Sequence, residues 1–108
     1  VVQPGETTEL ELESAPLDGM QALVLGVDVP AGSGLVGIFV SELGLPEGAV
    51  VALVVRSGSA IAPDRQTRLR ADDQMLVVTT EQARTATQER LRLVARHGRL
   101  ARWRASDV

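Results

Sequence analysis

Apolar residues change their spacing repeatedly along this chain, and each change marks an element. From Thr7 to Ser14 they alternate, with Leu10 and Leu12 set against Glu9, Glu11 and Glu13, which predicts a strand with one wet face. Ala15-Pro16-Leu17-Asp18-Gly19 reads as a turn, because Pro fixes φ and Asp-Gly suits a tight reversal. Met20 to Val29 is a second strand, stopped by Pro30. The period then lengthens: Val36, Phe39, Val40 and Leu43 fall at i, i+3, i+4 and i+7. That spacing predicts a short helix capped by Ser33 and closed by Gly44, with Leu45-Pro46 preventing continuation.

Ala49 to Val55 is a β-branched run suited to a strand buried on both faces. Ser57-Gly58 turns it back into Ala60-Ile61-Ala62, which Pro63 stops, and Gln74 to Thr79 is a further buried strand. Thr79 and Gln82 have capping-box spacing for a last helix that runs to about His97 and ends at Gly98. Ala83, Ala86, Arg90/Leu91 and Val94 line one face of it. Two helices and five or six strands, with hairpins dominating, predict an α+β fold: a small, mostly antiparallel sheet with two helices.

A length of 108 residues is one domain with a modest but sufficient core. The chain divides into a linker remnant and edge strand over 1–19, the domain proper over 20–98, and a basic C-terminal tail over 99–108. The only aromatics are Phe39 and Trp103, so the core is expected to be Val, Leu, Ile and Ala. The longest apolar run, Ala49 to Val55, is far too short to span a bilayer, and no signal-peptide pattern opens the chain. With no Cys, disulfides and thiolate ligands are excluded.

The net charge of −3 hides a gradient. Residues 1–55 hold eight acids and no base, residues 56–83 balance four against four, and residues 84–108 hold seven arginines against Glu89 and Asp107. A basic end of this kind either folds onto the acidic half of its own chain or meets an acidic partner. Nucleic acid is a poor partner, since the domain is net acidic and only Trp103 accompanies the arginines.

Candidate chemistry is sparse. The Ala31-Gly32-Ser33-Gly34 turn lacks the Lys-Ser/Thr of a phosphate loop and the spacing of a dinucleotide fingerprint, so a helix cap is the better reading. His97 is alone, and without Cys or a second His no transition-metal site is expected. Glu9, Glu11 and Glu13 share a strand face, as ligands of a hard cation would, but exposed strand decoration is the better reading. Asp72-Asp73 sits in a turn, where adjacent side chains point apart and Asp tolerates left-handed backbone. No nucleophile-elbow sequence occurs, and the chain is read as having no catalytic residues.

The ordered set GS-x-LVG, ELGLPEGA, VVR-x-G and DD-x-x-LVV, spread over Met20 to Arg96, resembles the RCK C-terminal (TrkA-C) domain, the regulatory module of potassium channels and antiporters. With the acidic strand before Met20 and the ending ERLRLVARHGRLARW, the chain looks most like the C-terminal cytosolic portion of a bacterial potassium/proton antiporter. The resemblance implies a soluble fragment at the cytoplasmic face of the membrane, joined to a membrane transport domain of the same polypeptide. It also implies a homodimer whose cleft binds a nucleotide, cyclic di-AMP being the notable case. Departures from the pattern include Arg65 in place of a turn glycine and Asp72 where glycine is common.

Two sites follow as expectations. Ile38, Phe39 and Val40 make the first helix apolar over more than one stripe, which marks them, or the Ala49–Ile61 hairpin, as the dimer interface. Val54, Val55 and Arg56 with Ile61, Ala62 and Pro63 combine apolar walls for bases with a donor for phosphates, Arg56 being the only base before Arg65. The competing reading keeps the fold as a purely structural dimerisation module with no small ligand.

Overall fold

A computed structural model describes residues 12–17, 19 and 21–98. Five strands form one sheet: β1 (Leu12–Leu17), β2 (Ala22–Asp28), β3 (Ala49–Arg56), β4 (Ser59–Ile61) and β5 (Gln74–Thr80). Their order across the sheet is β1-β2-β5-β3-β4, and every pairing is antiparallel. A single α-helix, α1 (Arg84–His97), follows β5.

Period-two alternation sorts the sheet residues between its faces. Leu23, Leu25 and Val27 of β2 and Met75, Val77 and Thr79 of β5 are buried against α1 and the 29–48 segment. On β3 the same face takes Val51 and Val54, three apart, which strict alternation would place on opposite faces. A β-bulge resolves this, because the register with β5 shifts between Val51 and Leu53 and leaves Ala52 as the extra residue. β3 is therefore buried on one face only; Val50 is 59% exposed on the other.

The expected helix over Ser33–Leu43 does not form. Consecutive tight turns close instead, with Val36 N–H donating to Ser33 O and Ile38 N–H to Leu35 O. Gly37 at φ +86° breaks any helical run, and its N–H donates to Leu69 O. Leu69 N–H answers to Ile38 O and Val40 N–H to Thr67 O, so this segment pairs with 67–69 rather than with itself. Only a 3-10 turn, Val40–Glu42, remains, closed by Phe39 N–H donating to Glu42 Oε1 at 2.9 Å. Among the described residues the α-helix count is accordingly one, not two.

At the other expected helix the end holds and the start moves. Ala83 is the N-cap residue, and its N–H donates to the Thr80 hydroxyl at 3.1 Å in place of the Thr79/Gln82 box. Leu91 and Val94 are buried as expected and Ala86 is exposed; Thr87, not singled out by spacing, is buried against the Thr79 hydroxyl at 3.4 Å. The last turn carries Arg96, whose positive charge complements the helix C-terminus. Gly34 lets the two halves meet here: its N–H donates to Ala95 O, and a Cβ on it would lie 2.5 Å from Gly98 N and Val94 O.

Candidate functional site

Arg56 ends β3 at the hairpin whose central residues Ser57 and Gly58 both have positive φ, the geometry Ser-Gly was expected to supply. Its guanidinium reaches the segment that leads into β5. Nε donates to Asp73 Oδ1 at 2.9 Å and Nη2 to Asp73 Oδ2 at 2.8 Å, a bidentate pair. Nη2 also donates to the Arg68 carbonyl at 2.9 Å, and Asp73 Oδ2 accepts the Arg70 N–H at 2.8 Å. The Asp73 side chain is 1% exposed and that of Arg56 25%.

Those contacts set the electrostatics. The hydrogen bonds from Arg56 hold the Asp73 carboxyl below its ordinary range, with burial opposing and the Arg70 N–H helping. The same pair raises the Arg56 guanidinium. Asp72, next door, is exposed with φ +70°, and its N–H donates to Val29 O. That left-handed backbone is one that glycine adopts without strain and Asp tolerates. The two aspartates point apart, one in water and one locked to Arg56, so they are no catalytic carboxylate pair.

Around this anchor the expected ligand residues divide. Val54 is fully buried in the core, while Val55 and Ile61 are half-buried, Ala62 is exposed and Pro63 half-buried. The structure brings Ile61 opposite Val54 and Ala60 opposite Val55 on the short edge strand β4. The expected phosphate donor, Arg56, already has Nε and Nη2 committed to Asp73 and the Arg68 carbonyl. No local pattern pairs Arg56 with Asp73; the one signal in the sequence is a first base after a long acidic stretch.

The expected interface residues lie at the centre of the 29–48 segment. Ile38 is 2% exposed and belongs to the protomer core, and Val40 packs against that core. Phe39 is half-buried with the Arg68 guanidinium 4.6 Å over its ring. Ser33 is buried, its hydroxyl accepting the Leu35 N–H at 3.1 Å, which makes the Gly-rich turn a local cap. Glu9 and Glu11 fall outside the described residues; Glu13 is exposed on β1. Among the described residues no helix is long and apolar enough to cross a membrane.

Comparison with known proteins places this architecture. The TrkA-C domain family model matches residues 24–92, which contain most of β2, all of β3 to β5, the Arg56–Asp73 anchor and most of α1. The chain belongs to the TrkA-C domain family. Among solved structures, the crystal structure of the GsuK RCK domain is similar at TM-score 0.63 and 18% identity, over 92% of this chain and 24% of that one. The GsuK channel is similar at TM-score 0.63 and 21% identity, over 93% of this chain and 20% of that one. The chain thus spans a quarter or less of these two solved chains, and the likeness is one of fold. No curated protein sequence matches it.

Proposed function

We propose that this TrkA-C domain is the cytosolic regulatory portion of a monovalent cation/proton antiporter, with potassium as the ion. In this reading it lies at the cytoplasmic face of the membrane, joined to a transport domain in the same polypeptide. It works as a homodimer whose cleft takes cyclic di-AMP or another nucleotide. The observation that carries this is the family match over residues 24–92, on a fold shared with RCK chains four to five times longer. A domain without chemistry of its own acts on a larger protein by binding one of its states better than another.

The hairpin supports the ligand placement in part. Ile61, Ala62 and Pro63 present apolar surface at the sheet edge beside a guanidinium held by Asp73, while the register puts Val55 on the opposite face of the sheet from Ile61. The commitment of Arg56 to Asp73 favours the rival reading, a structural dimerisation module with no small ligand.

Calorimetry on the domain separates the two. The expected result is heat with cyclic di-AMP that is lost in Ala62→Glu, which sets a like charge at the hairpin without touching the Arg56–Asp73 pair. No heat with cyclic di-AMP, AMP, ATP or NADH at near-millimolar concentration leaves only the structural module. Heat unchanged in Ala62→Glu keeps a ligand and moves its site away from the hairpin.

A further inference from the structure

The sheet face opposite α1 is apolar, and no described element covers it. Its centre is Val24, Val78 and Val50 in one row across β2, β5 and β3, with Leu76 opposite Leu53 in the next. Beside Leu76, opposite it on β2, stands Gly26. No turn or crowding explains a glycine there: its φ is not positive, and an added Cβ would meet only Gln74 Nε2, at 3.9 Å. A glycine inside a strand often marks close approach of another group. Here it opens a shallow groove of about 580 Å³ between Glu13 of β1 and Leu76 of β5.

We infer that this groove is the docking site of the chain's own segment 99–104, with Trp103 seated over Gly26. Charge is the first argument. Glu13 and Asp28 stand on the face, the described residues of the face include no base, and the segment carries Arg99, Arg102 and Arg104 around Leu100 and Trp103. Position is the second. α1 ends at Gly98 beside Gly34, a few residues beyond Asp28, so the chain leaves α1 near the end of the sheet where those acids stand. Five further residues reach up to about 17 Å, enough to pass from the helix layer round a sheet end when layers lie about 10 Å apart.

Size is the third argument. Five strands about 4.8 Å apart span about 19 Å, and with about 20 Å along the strands the face has a projected area of about 400 Å². It matches a short peptide led by one aromatic side chain, which buries about 150–250 Å².

Trp103 is the only tryptophan, so the intrinsic fluorescence of the 108-residue chain reports on it directly. The expected result at low salt is short-wavelength emission and weak acrylamide quenching, the same at every protein concentration. Filling the groove with Gly26→Val is expected to shift emission to the red and raise quenching several-fold while circular dichroism stays native. Glu13→Lys with Asp28→Lys, or high salt, is expected to do the same in part. An indole with fully exposed emission in the unaltered chain overturns the inference, as does protection that both the Gly26→Val and the Glu13/Asp28 variants leave intact. Protection that grows with protein concentration, in step with association, overturns it in favour of a second copy on this face.

Discussion

Asp73 is the residue on which the turn between the hairpin and β5 depends. Its two oxygens accept from Arg56 Nε, Arg56 Nη2 and the Arg70 N–H inside an almost fully buried side chain. Asp73→Asn keeps the shape but leaves one acceptor oxygen for three donors, so a donor faces a donor and the guanidinium loses its counter-charge. Breaking a buried pair from one side costs about 3 kcal/mol, which lowers the melting temperature of a domain this size by roughly 10–20 °C. Thermal unfolding at neutral pH checks this. The pH dependence follows from the depressed carboxyl: the unfolded chain binds this proton more readily, so the stabilisation is complete above the ordinary Asp value of about 4 and disappears as pH falls through the folded value. The gap between the parent and Asp73→Asn should therefore narrow in acid and stay constant from pH 6 to pH 8, roughly the range in which no Asp titrates. A gap that persists unchanged to strongly acid pH rules out the charge as its source.

At the scale of elements, the joint between the 29–48 segment and α1 rests on one close approach. A Cβ on Gly34 would lie 2.5 Å from two backbone atoms of the helix end, Gly98 N and Val94 O, which no side-chain rotation relieves. Gly34→Ala is therefore expected to destabilise by about 1–3 kcal/mol through forced backbone displacement. Gly32→Ala is the control, since nothing lies within 4 Å of its added Cβ and its φ is not positive. It should be neutral or slightly stabilising, because it restricts only the unfolded chain. Equal denaturant midpoints for the two variants would show that the helix end yields without cost. The bulge at Ala52 is the other element-scale device, letting a run of apolar residues place both Val51 and Val54 in the core.

For the whole molecule, the core closes within one protomer. Leu25, Val27, Val54, Met75, Val77 and Leu91 are each fully buried, and no buried side-chain polar atom among the described residues lacks a partner. The proposed homodimer is then an association of folded protomers rather than a condition of folding. The edge strand β4, three residues long and among the described residues paired only with β3, is the part of the hairpin placed to meet a second copy. Light scattering is expected to show dimer at high micromolar concentration and dissociation on dilution with no loss of circular dichroism. Monomer alone at high micromolar concentration would remove the homodimer from the proposal.

Local pattern alone determined β2 to β5 and the end of the last helix, whereas the turn expected over Ala15–Gly19 gives way to β1, which runs from Leu12 through Pro16 to Leu17 because those residues pair with β2. β2, β3 and β5 follow from β-branched runs bounded by Pro and turn residues, the Ser57-Gly58 hairpin from residues that accept positive φ, and the end of α1 from Gly98. The aliphatic core and the TrkA-C resemblance were legible in the same way. What only the tertiary structure decided lies between residues distant in sequence. Val36, Phe39, Val40 and Leu43 have helical spacing, yet the N–H groups of Gly37 and Val40 find the carbonyls of Leu69 and Thr67, partners that no local window contains. Arg56 and Asp73 meet across seventeen residues, and Gly34 meets Gly98 across sixty-four. The sheet order puts β5 between β2 and β3, which makes the face around Gly26 continuous. Spacing encodes the face a residue presents; the partner of that face is set by chain-wide packing, which satisfies buried polar groups and apolar area together.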